Sequence, residues 1–148
     1  MSEEQPERYV FDLDGTLASV DHRRPALEGE HPDWHAFNKA SLFDSPAEAV
    51  VRVARALADH YEIWIVSGRS DAVERETRGW LEKYEVPFDT LIMRSAADHR
   101  PDHILKKEWA LKYNFVDNVL AVFDDRDSVV AMWRELGIVC FQVAPGDF

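Results

Sequence analysis

Polar side chains follow three apolar segments of this chain at the point where each segment ends. Asp12 and Asp14 follow the first segment, Ser67 follows the second, and Asp124 and Asp125 follow a later one. Carboxylates held close together repel one another strongly, and a hard divalent cation with oxygen ligands relieves that repulsion. Mg²⁺ suits a site that supplies a few carboxylates and leaves room for water and a phosphate. Phosphoryl transfer needs such a metal together with well-positioned reacting groups.

Two carboxylates separated by a single residue need separate roles in chemistry of this kind. An aspartate can attack phosphorus and form an aspartyl-phosphate. A second carboxyl group can protonate the leaving oxygen and then activate the water that clears the intermediate. Leu13 lies between Asp12 and Asp14, so strand geometry directs it away from the site and into the core. Gly15 suits the tight turn that follows.

The elements that must position these residues alternate along the chain. Apolar runs predict strands near residues 9–13, 62–66, 90–93, 119–123 and 138–143. Helices are predicted near residues 33–40, 45–57, 72–84, 101–113 and 127–136. Alternating strands and helices indicate a parallel sheet covered on both faces.

We therefore expect an α/β fold built as a three-layer, doubly wound parallel sheet of about five strands. Ligands of such sheets bind beyond the carboxyl ends of the strands, where the polar residues should converge. Residues 8–148 are predicted to form a single domain after an acidic, flexible tail at residues 1–7. Residues 18–44 are predicted as a small cap or loop insertion, too short for a core of its own.

The second predicted helix has a clear start signal. Ser45 is expected to cap it, Pro46 suits its first turn, and Glu48 completes a capping box. One apolar helix face is predicted to consist of Val50, Val53, Ala54 and Leu57.

Composition limits the partners of the chain. Its 148 residues include 17 Lys and Arg against 28 Asp and Glu, a formal charge of -11. That balance argues against broad, sequence-independent binding to nucleic acid or to an anionic membrane, but allows a small anionic substrate held by local cations and a metal. The single cysteine, Cys140, excludes a disulfide framework and is expected in the core. With no signal peptide and no run near ~18 apolar residues, we expect a soluble, cytoplasmic protein.

The motifs resemble those of the haloacid-dehalogenase-like phosphatase superfamily, which has a Rossmann-like core. The order and spacing match for Asp12-Leu13-Asp14-Gly15-Thr16, Ser67-Gly68-Arg69, Lys106 and Asp124-Asp125. From about residue 8 onward the chain is most similar to the 3′-phosphatase domain of bacteriophage polynucleotide kinase. That closer resemblance is carried by Asp98-His99-Arg100-Pro101-Asp102, Phe123-Asp124-Asp125-Arg126, Met132-Trp133-Arg134 and residues 142–148.

The resemblance implies roles for individual residues. It implies Asp12 as the nucleophile and Asp14 as the general acid and base. Mg²⁺ is expected to bind Asp12, Asp14, Asp124 and Asp125. Contacts to the phosphate or the substrate are expected from Thr16, Arg23, Ser67, Gly68, Arg69, Asp102 and Lys106. Asp102 lies four residues before Lys106, so it shares a helix face with that lysine and is expected to orient it or an arginine.

The function implied is Mg²⁺-dependent removal of a 3′-phosphate from DNA or RNA ends, with contacts limited to the terminal nucleotides. Two alternatives stay open: a nucleotidase or small-molecule phosphatase of the same superfamily, and a non-catalytic module that binds phosphorylated ends. The sequence holds no Gly-x-x-x-x-Gly-Lys-[Ser/Thr] phosphate loop, so any kinase is expected either on another chain or to be absent. A separate kinase or ligase is the partner that the resemblance implies. Trp34 and Phe37 are expected to pack the insertion onto the sheet, and stacking on a terminal base is the alternative.

Overall fold

The computed structural model describes residues 6–148, so most of the predicted tail at residues 1–7 lies outside the described residues. The described part contains the strands β1 (Arg8–Phe11), β2 (Ala18–Ser19), β3 (Ser45–Pro46), β4 (Glu62–Ser70), β5 (Thr90–Arg94), β6 (Val119–Asp124) and β7 (Cys140–Gln142). Its α-helices are α1 (Trp34–Lys39), α2 (Glu48–Ala58), α3 (Glu74–Lys83), α4 (Asp102–Lys112), α5 (Phe115–Asn118) and α6 (Asp127–Glu135). Short 3₁₀ turns cover Asp21–Leu27, Ala40–Phe43 and Asp71–Val73.

Five strands form one parallel sheet in the order β5-β4-β1-β6-β7. The central strand β1 pairs with both β4 and β6, which brings the carboxyl ends of these three strands to the same edge. This arrangement confirms the predicted doubly wound parallel sheet. Asp12 follows β1 directly, and Asp124 is the last residue of β6. The sheet therefore places the two aspartates side by side although they are far apart in sequence.

The two faces of the sheet carry separate hydrophobic cores. Along β1, Val10 belongs to one core and Phe11 to the other, as the alternation of a strand requires. Helices α4, α5 and α6 cover the face of Val10, while α2 and α3 cover the face of Phe11. Leu13 is fully buried in the second core, as predicted. Both faces are thus closed by helices, and the edge with the carboxyl ends of the strands stays available for a site.

The insertion at residues 18–44 is closed at its base by the short antiparallel pair β2–β3. Ser19 pairs with Ser45, and Ala18 pairs with Pro46. The predicted helix start at Ser45 and Pro46 is therefore wrong, because the backbone of both residues lies in this ladder. Helix α2 begins at Glu48 after Ala47, without a side-chain cap.

Other local predictions need correction for similar reasons. Val53 was expected on the buried face of α2, but it is 40% exposed, and the buried stripe centres on Val51 and Ala54. Strand β4 runs on to Ser70 instead of ending at Ser67, with an irregularity in its pairing to β5. The short helix α5 was not predicted.

Cys140 is buried in the core formed with α4, α5 and α6, as expected. None of the helices formed by residues 6–148 combines the length and the apolar character that crossing a lipid bilayer requires.

Candidate active site

Asp12 is held at the carboxyl end of β1 by bonds to its backbone and to its side chain. Its backbone N–H donates to the carbonyl of Phe123, 2.9 Å away, which continues the pairing with β6. Thr16 Oγ1 donates to Asp12 Oδ2 over 3.1 Å, and Lys106 Nζ donates to Oδ1 over 2.8 Å. Burial and the nearby charge of Asp124 raise the pKa of Asp12 well above its usual value, against the opposing effect of Lys106. The residue predicted as the nucleophile is thus buried and is held by Thr16 and Lys106.

Lys106 reaches this carboxylate from α4 and binds a second one. Its Nζ also lies 3.1 Å from Asp124 Oδ2, and the side chain is almost fully buried. Burial alone would lower its pKa, but the charges of Asp12 and Asp124 outweigh burial, so the pKa lies above the usual lysine value. The ammonium therefore stays charged at neutral pH. Lys107, the next residue, is exposed.

Three buried carboxylates gather at this edge of the sheet. Asp12, Asp124 and Asp125 each offer an oxygen that lies within 4.8 Å of the others. Asp124 accepts hydrogen bonds from the indole N–H of Trp133 at 3.2 Å and from the backbone N–H of Asp125 at 2.8 Å. Burial and the charge of Asp124 raise the pKa of Asp125 to about 6. These oxygen-only, crowded acids fit a hard divalent cation such as Mg²⁺, since Lys106 supplies only one positive charge.

Gly15 makes the approach of Asp125 possible. Its φ is +84°, in the left-handed region, and a Cβ at this position would overlap the Asp125 carboxylate. The turn after the first motif therefore requires glycine for its conformation and for the space it leaves.

Asp14 lies apart from the cluster of three acids and is held by two arginines. Arg23 NH2 donates to Asp14 Oδ1 over 2.8 Å, and Arg69 NH2 donates to the same oxygen. Burial alone would raise the pKa of Asp14, but the charges of Arg69 and Arg23 lower it below its usual value. Among the described residues, the carboxylates grouped for a cation are those of Asp12, Asp124 and Asp125, so the side chain of Asp14, also expected as a ligand, is engaged elsewhere.

Asp44 is a central residue of the site that the sequence analysis missed. Its carboxylate accepts from Arg23 Nε and NH2, both over 2.7 Å, and from Arg69 NH2 over 3.3 Å. His22 Nε2 lies 2.7 Å from Asp44 Oδ1, and its side chain is 41% exposed. No local pattern marks Asp44 in the sequence. The signal that could have found it is Arg23 itself, because a buried arginine needs carboxylate partners.

Ser67, Gly68 and Asp102 form the third part of the site. Ser67 is buried, and its Oγ accepts from the backbone N–H of Arg69 over 3.0 Å. A Cβ on Gly68 would overlap the Asp102 carboxylate. Asp102 accepts hydrogen bonds from Arg94 NH2 and, over 3.3 Å, from Arg126 NH1. Asp102 was expected to orient either Lys106 or an arginine, and its hydrogen bonds are to arginines. The participation of these two arginines was not predicted.

The predicted residues thus form three adjoining groups at one edge of the sheet. The acidic group holds Asp12, Thr16, Lys106, Asp124 and Asp125. The arginine group holds Asp14, Arg23 and Arg69, and the last group holds Ser67, Gly68 and Asp102.

A comparison with protein-family models matches the chain to a known family. The model of the polynucleotide kinase PNKP phosphatase domain matches residues 6–148. The chain belongs to this family. As a member of this phosphatase-domain family it is a hydrolase of the haloacid-dehalogenase type, which confirms the predicted superfamily and enzyme class.

Relatives of this PNKP phosphatase domain are longer proteins. The chain is 35% identical over 139 residues to a bifunctional polynucleotide kinase/RNA ligase of Autographa californica nuclear polyhedrosis virus. The matched region makes up 90% of this chain and 18% of that protein. A chain of a Pnkp1/Rnl/Hen1 complex superposes with a TM-score of 0.83 at 34% identity over 99% of this chain and 49% of its own. A chain of the Pnkp1/Rnl/Hen1 RNA repair complex superposes with a TM-score of 0.83 at 35% identity, over 97% of this chain and 44% of its own. The present chain spans half or less of these relatives.

More distant structures share the fold alone. A haloacid dehalogenase family enzyme from Bacteroides thetaiotaomicron, solved with magnesium and inorganic phosphate, superposes with a TM-score of 0.61 at 13% identity, over 97% of both chains. A haloacid dehalogenase-like protein from Streptococcus pneumoniae gives 0.64 at 12% identity, over 93% of this chain and 84% of its own. These likenesses confirm the predicted α/β class.

Proposed function

We propose that this domain hydrolyses the terminal 3′-phosphate of a polynucleotide, with Mg²⁺, through an aspartyl-phosphate on Asp12. The observation that carries the proposal is the arrangement around that residue. Asp12 contacts Thr16 and Lys106, lies among the acids that suit a cation, and is followed two residues later by the arginine-held Asp14.

In the first step, an Asp12 oxygen attacks phosphorus, and the bond between phosphorus and the 3′-oxygen breaks. Lys106 keeps Asp12 oriented, and its ammonium lies where it can offset negative charge on the phosphoryl oxygens. Asp12, Asp124 and Asp125 would hold Mg²⁺, which would supply further positive charge to offset the negative charge of the phosphate.

Asp14 supplies the proton for the leaving 3′-oxygen and then takes one from water. Its lowered pKa makes it a carboxylate in the free protein, ready to act as a base. A phosphate bound beside it adds negative charge, which raises the pKa of Asp14 and favours its protonated form. After the strand leaves with its new 3′-hydroxyl, the resulting carboxylate activates the water that cleaves the acyl phosphate.

The remaining predicted residues have supporting roles in this proposal. The Ser67 hydroxyl is the donor proposed for a phosphoryl oxygen, whereas the Thr16 hydroxyl donates to Asp12 and helps to orient it. The guanidinium groups of Arg23 and Arg69 are committed to Asp14 and Asp44, which favours positioning of Asp14 over direct contact with the substrate. Gly68 and Asp102 shape the strand end beside Ser67.

The biological setting follows from the chemistry of the product. Removing a 3′-phosphate leaves a 3′-hydroxyl, the group that a ligase joins to a 5′-phosphate. The relatives are named for polynucleotide kinase, RNA ligase and RNA repair, which favours RNA ends and a kinase and a ligase as partners, on this or another chain. A cytoplasmic location is part of the same proposal.

The test is the variant Asp12→Asn with a 3′-phosphorylated oligonucleotide and Mg²⁺. We expect release of inorganic phosphate to fall by about a thousandfold or more, because the amide cannot form the acyl phosphate. The exposed Asp59→Asn serves as the matched control and should keep full activity. Undiminished turnover by Asp12→Asn would contradict the mechanism.

The same assay separates the alternatives. A higher kcat/KM for a 3′-mononucleotide than for the oligonucleotide would favour a nucleotidase. Tight binding of the phosphorylated end without any turnover would favour a binding module.

A further inference from the structure

The exposed indole of Trp34 suggests how the substrate is held, an inference that rests on the proposed function. Trp34 opens α1 in the insertion and is 58% exposed, whereas Phe37 one turn later is 8% exposed. The two rings meet edge to face with centroids 5.6 Å apart. Phe37 therefore packs the insertion, as the sequence predicts, while Trp34 presents most of its ring to solvent.

A continuous series of contacts joins Trp34 to the proposed acid and base. The Phe37 ring lies 4.3 Å from Cζ of Arg23, and the Phe37 carbonyl accepts from Arg23 NH1 over 3.1 Å. Arg23 NH2 in turn donates to Asp14 Oδ1 over 2.8 Å. The ring spacings of 4.3 and 5.6 Å place the indole within about 10 Å of the Arg23 guanidinium. These contacts thus connect an exposed indole with Asp14, the residue that the proposed function places at the leaving 3′-oxygen.

The charge of the chain favours a nucleobase as the occupant of this face. With a formal charge of -11, the protein as a whole repels a polyanion, so phosphate contacts alone are a poor means of holding a strand. Stacking of a base on an aromatic side chain requires no positive charge and accepts every base, because each base has a π face. Trp34 therefore provides the kind of contact that an acidic protein needs for a nucleic acid end.

We propose that Trp34 stacks on an unpaired base within the last two nucleotides of the strand whose 3′-phosphate lies at Asp12. The stacked base holds the end of the strand while the sheet edge performs the chemistry. Trp34 itself touches none of the reacting atoms. Its contribution is to substrate binding, and it is independent of the identity of the base.

The experiment compares Trp34→Ala with the wild type on three substrates: a 3′-phosphorylated trinucleotide, the same compound lacking the bases of its last two nucleotides, and p-nitrophenyl phosphate. We expect Trp34→Ala to raise KM for the normal trinucleotide about tenfold, with kcat unchanged, because one base stack is lost. Neither the abasic compound nor p-nitrophenyl phosphate should distinguish the two proteins. Trp34→Phe should recover part of the loss.

Phe43→Ala is the matched control, since Phe43 is 78% exposed in the same insertion. It should leave all three substrates unaffected. A KM for the normal trinucleotide that stays within twofold in Trp34→Ala would overturn the inference. So would an equal loss on all three substrates, because Trp34 would then support Arg23 and not a base. Failure of the wild type to hydrolyse the trinucleotide, with p-nitrophenyl phosphate still cleaved, would instead contradict the proposed function.

Discussion

Asp44 binds Arg23 at two points, with Nε donating to Oδ1 and NH2 donating to Oδ2, each over 2.7 Å. Both side chains are buried, and Arg23 NH2 also donates to Asp14. The orientation of Asp14, at the end of β1, therefore depends on a carboxylate at the far end of the insertion.

Replacing Asp44 by alanine should destabilise the protein and impair turnover together. Arg23 and Arg69 would lose a buried partner, which costs about 3–5 kcal/mol when one member of a buried ion pair is removed. Arg23 would keep Asp14 and the Phe37 carbonyl, and Arg69 would keep Asp14 and Thr77, but neither would be held by Asp44, so we expect kcat to fall at least about tenfold. Urea denaturation measures the first effect and steady-state kinetics the second.

The exposed ion pair between Asp21 and Arg24 provides the control for Asp44→Ala. Asp21→Ala should change the free energy of unfolding by less than about 1 kcal/mol, because exposed ion pairs contribute little. Normal kcat in Asp44→Ala would show that the orientation of Asp14 does not depend on Asp44.

Lys106 and Lys107 are adjacent lysines with opposite expected behaviour. Lys106→Gln should reduce kcat by about a hundredfold or more, because the buried ammonium that faces Asp12 and Asp124 is lost. Lys107→Gln removes an exposed charge and should leave turnover within twofold. Rates measured with the 3′-phosphorylated oligonucleotide decide the point, and equal effects at the two positions would contradict the assignment of Lys106.

Stabilisation by Mg²⁺ should depend on pH. The pKa of Asp125 in the folded chain is about 6, above its usual value of 3.8, so the folded state holds the proton more tightly than the unfolded state. Without metal, this group lowers the free energy of unfolding as the pH rises from about 4 to above 6, and Asp12 acts in the same direction. A cation that replaces the proton should therefore raise Tm more at about pH 7.5 than at about pH 5.

Thermal unfolding with and without Mg²⁺ at the two pH values measures this difference. Asp124→Asn removes one carboxylate charge from the cluster and should reduce the rise in Tm that Mg²⁺ causes at the higher pH. The same Tm increase at both pH values would rule out the acidic cluster as the source of the stabilisation.

Two glycines provide a matched test of the strand end beside Ser67. A Cβ on Gly68 would overlap the Asp102 carboxylate, and Arg94 and Arg126 hold that carboxylate in place. Gly68→Ala should therefore cost about 1–3 kcal/mol and reduce kcat/KM. Gly79 lies in α3 with open space around it, so Gly79→Ala should stabilise the protein by about 0.5–1 kcal/mol. Unfolding curves that show no loss for Gly68→Ala would indicate that Asp102 shifts freely.

The fold and the acidic group of the site were predictable because their signals are local. Asp12 and Asp124 follow apolar runs, and parallel strands bring such positions together whatever their separation in sequence. Trp34 and Phe37 lie three residues apart and were predicted to pack in the same way, yet in the structure Trp34 is exposed and Phe37 is buried. Exposure depends on the packing of the whole insertion, which periodicity in a short segment does not report.

The rest of the site depends on contacts between distant segments. Ser45 and Pro46 carry a good helix-start pattern, but both residues pair with β2 instead. The pairing provides hydrogen-bond partners for backbone groups, and it depends on a segment that is distant in sequence. Asp44 and Arg94 are ordinary loop or strand-end residues until the fold brings arginines or carboxylates to them. Their roles follow from the need to pair buried charge, which only the assembled structure shows.

The buried position of Cys140 has a practical consequence. Burial raises the pKa of its thiol to about 12, so this cysteine should resist alkylation while the chain is folded. Since it is the only cysteine in the sequence, a second one introduced at an exposed position would be the sole site for thiol-directed labelling. A fluorophore or spin label attached at residue 39 on the insertion could then report directly on the arrival of a polynucleotide, without replacing any native cysteine.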